Sequence, residues 1–87
     1  METNLQFYNR IKETQQERIV LLRLNCFYVT FRDDAKAVSD CLGIMLSRQF
    51  AGEKEFMSMF PYDKLAYFLP KLIRHGYKVA ICDNNMN

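Results

Sequence analysis

Eighty-seven residues of 10.4 kDa are room for one domain, and leave no space for a nucleotide-binding domain beside another. Hydrophobic residues make up 49% and charged residues 25%, a globular balance that excludes disordered and fibrous classes. No apolar run approaches the roughly 18 residues of a membrane span, and a net charge of +2 does not by itself argue for a nucleic-acid binder.

The N-terminus, Met1-Glu2-Thr3-Asn4, lacks the basic and apolar regions of a secretory signal, so a cytoplasmic chain without a membrane partner is expected. Cys26, Cys41 and Cys82 are odd in number and widely spaced, with no CxxC pair, and His75 is the single histidine. That pattern argues against zinc and for free, buried thiols in a reducing compartment. No cofactor is expected.

The first helix is expected from Asn4 to Glu17. Thr3 and Gln6 fit a capping box, and Leu5, Tyr8 and Ile11 share a face. Ile19 to Leu24 is a short branched apolar run, which reads as a strand buried on both faces. Phe27 to Phe31 reads as a second strand, and the two residues between them, Asn25 and Cys26, imply a tight hairpin. Asp33 or Asp34 is placed to cap a helix reaching Leu42, with Ala35, Val38, Cys41 and Leu42 as its apolar stripe and Gly43 as its stop.

Ile44 to Arg48 is expected as a strand, Phe50 to Lys54 as a loop, and Phe56 to Phe60 as a strand closed by Pro61. Met57 and Met59 alternate on one face of it, as core or interface residues. Asp63 is placed to cap a last helix with core residues Leu65, Phe68, Leu69, Leu72 and Ile73, in which Pro70 removes one backbone bond. Gly76 ends it, Tyr77 to Cys82 forms the final strand, and Asp83 to Asn87 is a polar tail. The order α-β-β-α-β-β-α-β predicts an α/β (α+β mixed) fold, a small mixed sheet with flanking helices.

Four stretches carry a family resemblance. Leu21 to Phe31 is similar to a strand, a Gly-Asp turn and Phe-Tyr-Glu-Leu-Phe; Asp33-Asp34-Ala35-Lys36 leads an apolar helix into Leu42-Gly43-Ile44. Phe56 to Tyr62 is similar to Pro-Met-Ala-Gly-Val-Pro-Tyr-His. Leu69 to Ile73 and Gly76 to Asp83 nearly repeat the family's own sequence. Together they cover nearly the whole chain in order. The chain resembles the N-terminal mismatch-recognition domain (domain I) of the MutS family of DNA mismatch repair proteins, with residues 1–87 as a single, stand-alone, diverged copy.

The resemblance implies that family's mixed α/β fold and a non-enzymatic module that probes mismatched or distorted double-stranded DNA from the minor groove. Phe27 matches the Phe of the family's Phe-x-Glu motif, which stacks on a mispaired base; Val29 stands where the family has the Glu that bonds that base. Asn25-Cys26 replaces Gly-Asp, and Asp63 replaces the His after Tyr62. Arg23, Arg48, Lys71 and Lys78 are the candidate phosphate contacts. Binding is expected to be weak, because a +2 domain offers few phosphate contacts, and a separate clamp and ATPase protein is an expected partner.

Other readings are weaker. Asp34-Ala35-Lys36 matches the short metal-nuclease pattern, but it falls on a helix start where Asp34 has a capping role. No Gly-rich phosphate loop occurs, which excludes ATP binding by these residues. His75, at a helix C-terminus, has a favourable place near the dipole and no nucleophile beside it. The alternative function is a protein-interaction module that keeps the fold and has lost DNA recognition; it predicts an exposed apolar patch or sheet edge.

Overall fold

In the computed structural model, residues 2–48 and 55–83 are described. Helix α1 spans Asn4–Thr14. Its capping box is formed: the Gln6 N–H donates to Thr3 Oγ1 at 3.1 Å, and the Thr3 N–H donates to Gln6 Oε1 at 2.8 Å. Strands β1 (Arg18–Leu24) and β2 (Phe27–Phe31) follow as an antiparallel hairpin. Helix α2 (Arg32–Leu42) leads to β3 (Met57–Pro61), a short 3-10 turn (Tyr62–Lys64), helix α3 (Leu65–Arg74) and strand β4 (Lys78–Asp83).

The four strands lie in the order β3-β2-β1-β4. β2 pairs antiparallel with β1 and β3, and β4 runs parallel to β1, so the sheet is mixed. Both faces are covered. On one, Val20, Leu22, Val29, Phe31 and Met57 pack with Tyr8 of α1. On the other, Ile19, Leu21, Tyr28 and Phe60 pack with Val38 of α2 and Leu72 of α3. This two-sided burial explains the unbroken apolar run of β1. Val20, Leu21 and Leu22 have no exposed surface, and each such side chain contributes about 1.5–3 kcal/mol by burial. Among the described residues no helix is long and apolar enough to cross a membrane.

Several expectations are corrected. α1 stops at Thr14, not Glu17: Gln15 turns out of helical geometry, and the Arg18 N–H then donates to the Gln15 carbonyl. Neither Asp33 nor Asp34 caps α2; the cap position is Phe31, with no side-chain bond, and Asp34 is buried. Asp63 lies within the 3-10 turn, and α3 starts after Lys64 with no side-chain cap.

Ile44 to Arg48 is not a strand. Gly43 leaves α2 in left-handed geometry (φ 69°), and the chain meets β3 only at Ser47, which exchanges two 2.8 Å backbone bonds with Met57. Ile73 is exposed rather than core, and Cys26 is exposed rather than buried. The last strand begins at Lys78 and includes Asp83, one residue later at each end than expected. The expected loop at Phe50 to Lys54 and the tail beyond Asp83 lie outside the described residues.

Candidate nucleic-acid interface

The β1–β2 hairpin ends at the pair Leu24 and Phe27, joined by Asn25 and Cys26. Asn25 adopts φ 55°, a left-handed geometry that Asn tolerates better than most residues. Phe27 also faces Pro61 across β3, and the Tyr62 N–H donates to the Cys26 carbonyl at 2.8 Å. Hairpin and 3-10 turn therefore form one tied end of the sheet.

Phe27 is 38% exposed and belongs to neither apolar cluster. Val29, two residues on and so on the same face of β2, is 2% exposed and packs beneath α1. One strand face thus passes from an exposed aromatic to a core aliphatic within two residues. The position that the resemblance assigns to a base-bonding Glu is a core position here.

Arg23 shares this end. Its Nε donates to the Asn25 carbonyl at 3.2 Å, and its guanidinium lies 4.5 Å from the centre of the Tyr62 ring. Tyr62 is 45% exposed. Tyr62 closes the family-like stretch Phe56 to Tyr62, and its place immediately after Pro61 is the one sequence signal for it.

The other three candidate bases lie elsewhere. Lys78 is in register with Arg18, five residues along β1 from Arg23, or about 17 Å. Arg48 follows Ser47, whose partner Met57 pairs with Phe31, four residues or about 13 Å along β2 from Phe27. Its guanidinium rests 5.6 Å from the Phe56 ring. Lys71 folds back on its own helix: its Nζ donates to the Tyr67 hydroxyl at 3.0 Å and sits 4.2 Å from that ring. That cation holds the exposed Tyr67 phenol below its ordinary pKa through the hydrogen bond, with a smaller Coulombic share.

At the far end of the sheet is a buried cluster that sequence reasoning missed. The Asp34 carboxylate accepts hydrogen bonds from the Tyr8 hydroxyl at 2.6 Å, Lys12 Nζ at 3.0 Å and the Val20 N–H at 3.1 Å. Burial first, and the Asp34 carboxylate second, push the Tyr8 phenol far above its ordinary value. These contacts join α1, α2 and β1, so the cluster ties three elements together.

The family model described as MutS domain I matches residues 2–87. This chain belongs to the MutS domain I family. Similar relatives include a DNA mismatch repair protein MutS of Porphyromonas gingivalis, 44% identical over 78 residues, and one of Salinibacter ruber, 46% identical over 78. Another, of Thermotoga maritima, is 47% identical over 76 residues. Each alignment takes in 87% of this chain and 9% of the relative, so the chain spans less than a tenth of the length of these relatives. The mixed α/β sheet agrees with membership of the MutS domain I family.

Proposed function

We propose that this MutS domain I chain is a non-enzymatic DNA-binding module that probes mismatched or distorted duplex with Phe27 from the minor groove. The observation that supports this reading best is the state of Phe27 itself: an aromatic at the tied end of a sheet, partly exposed and outside both cores. An apolar wedge inserted at a base step costs a few kcal/mol of unstacking, and least where the step is already mismatched or damaged. Stacking on the ring returns about 1–3 kcal/mol.

Val29 is apolar and buried, so the position two residues after Phe27 offers no carboxylate to bond a particular base. Selectivity then follows the ease of opening the step rather than base identity. Arg23 lies at the same end of the sheet as the wedge. Arg48, Lys71 and Lys78 would meet phosphates only on a duplex reaching well beyond the hairpin end. So few contacts imply weak binding, strengthened by a clamp and ATPase supplied elsewhere. Titration of bulged, mismatched and matched duplexes by fluorescence anisotropy at low salt tests the reading. Wild type should favour the bulge, and Phe27→Ala should abolish the preference; equal binding by both proteins would refute the wedge.

A protein-interaction module is the second reading, favoured by one observation. Among the described residues β4 is paired only with β1, and Ile81 on it and Ile73 on α3 are 44% and 56% exposed. Light scattering that shows self-association reversed by Ile81→Lys would support this reading.

A further inference from the structure

The wedge reading makes Arg23 a candidate phosphate contact and gives Tyr62 no role, and the inference drawn from the pair rests on that reading. A free arginine side chain samples many rotamers, and a phosphate contact must first hold it in one. Here two groups do that before any ligand arrives. The Asn25 carbonyl takes the Nε–H at 3.2 Å, and the exposed Tyr62 ring lies 4.5 Å from the guanidinium carbon. The Tyr62 backbone is itself held at the hairpin, because its N–H donates to the Cys26 carbonyl at 2.8 Å. Using Nε internally leaves the two terminal nitrogens of the guanidinium, the pair that grips a phosphate in bidentate fashion.

Register sets the relation to the wedge. Arg23 stands opposite Tyr28 in the hairpin, and Phe27 opposite Leu24. Neighbouring positions along a strand alternate faces, so Arg23 and Phe27 lie at one end of the sheet on opposite faces. A groove that receives this end meets the aromatic on one side and the guanidinium on the other. We infer that Arg23 is a preset phosphate contact beside the wedged base step, and that Tyr62 is the positioning residue that presets it.

The test is salt-dependent binding of a fluorescein-labelled duplex with a single-base bulge. The wild-type chain is compared with Arg23→Gln, Tyr62→Leu, Tyr62→Phe and Phe27→Ala, each checked for an unchanged melting curve. Loss of one phosphate contact lowers the slope of log affinity against log salt by about one. Arg23→Gln should show that drop and lose affinity equally for bulged and matched duplexes. Tyr62→Leu should move the same way by a smaller amount, whereas Tyr62→Phe keeps the ring face and should match wild type. Phe27→Ala should lose the preference for the bulge with the slope intact.

An unchanged slope in Arg23→Gln, together with a Phe27→Ala defect, overturns this inference and leaves the wedge standing. Tyr62→Leu indistinguishable from wild type overturns the positioning role. Absence of binding by the wild-type chain overturns the wedge reading and this inference with it.

Discussion

The carboxylate of Asp34 accepts a hydrogen bond from the backbone N–H of Val20 at 3.1 Å. The β1–β2 pairing runs from Leu24 and Phe27 to Leu22 and Val29, and Val20 lies beyond it. Val20 is fully buried, so its N–H needs a partner. Asp34, in the first turn of α2, supplies one. Tyr8 and Lys12 of α1 reach the same carboxylate, so one side chain joins α1, α2 and β1. Lys12 also donates to the Arg18 carbonyl.

Asp34→Ala therefore takes the carboxylate from a buried N–H, a buried phenol and a half-buried ammonium, of which Lys12 keeps the Arg18 carbonyl. Such losses cost about 3–5 kcal/mol for a buried charge pair broken on one side. Lys12 retains some water, which places the expected loss at about 2–4 kcal/mol, measured as the midpoint shift in urea unfolding. A loss below about 1 kcal/mol would show that water replaces the carboxylate.

Tyr8 gives a pH signature. Its phenol titrates far higher in the folded chain than its ordinary value near 10, because burial and Asp34 both oppose the phenolate. A group raised on folding contributes stability that is complete below its unfolded pKa and is lost as pH climbs toward the folded one. Wild type should hold its stability from neutral pH to about 10 and lose it steeply above. Tyr8→Phe should be less stable at neutral pH and show a shallower alkaline loss, with the remaining tyrosines common to both. Parallel curves above pH 10 would contradict the assignment.

Phe27 and Val29 should separate function from stability. Phe27 lies outside both clusters, so Phe27→Ala is expected to change stability by no more than about 1 kcal/mol. Val29→Ala removes buried methyl groups beneath α1 and is expected to cost about 1–3 kcal/mol. Thermal unfolding of the two variants checks the contrast, and the reverse order would place Phe27 in the core.

The hairpin depends on the left-handed geometry of Asn25. Asn25→Gly keeps that geometry freely and should be neutral within about 0.5 kcal/mol, whereas Asn25→Val should cost about 1–2 kcal/mol. Because the Asn25 carbonyl also holds Arg23, the valine variant is expected to disturb the guanidinium as well. Chemical denaturation of the pair of variants measures the difference.

Features written in neighbouring residues were legible in the sequence. The Thr3–Gln6 capping box, the β1–β2 hairpin and the Gly43 stop each rest on contacts a few residues apart. The doubly buried run of β1 and the resemblance through Phe27 were equally plain. Asp34 at a helix start points locally to a cap, but its partners Tyr8 and Val20 stand 26 and 14 residues away. Ile44 to Arg48 has a strand-like composition, but pairing is decided by where Gly43 releases the chain. Tyr62 joins Arg23 only through the β2–β3 register, which no local pattern encodes.

Whether Phe27 enters the base stack can be measured at the step itself. A duplex carrying 2-aminopurine beside a single-base bulge reports stacking through its emission. Saturation with wild type should change the emission strongly, and saturation with Phe27→Ala should leave it at the value of free duplex. An equal change with both proteins, or none with wild type at saturation, would contradict the wedge.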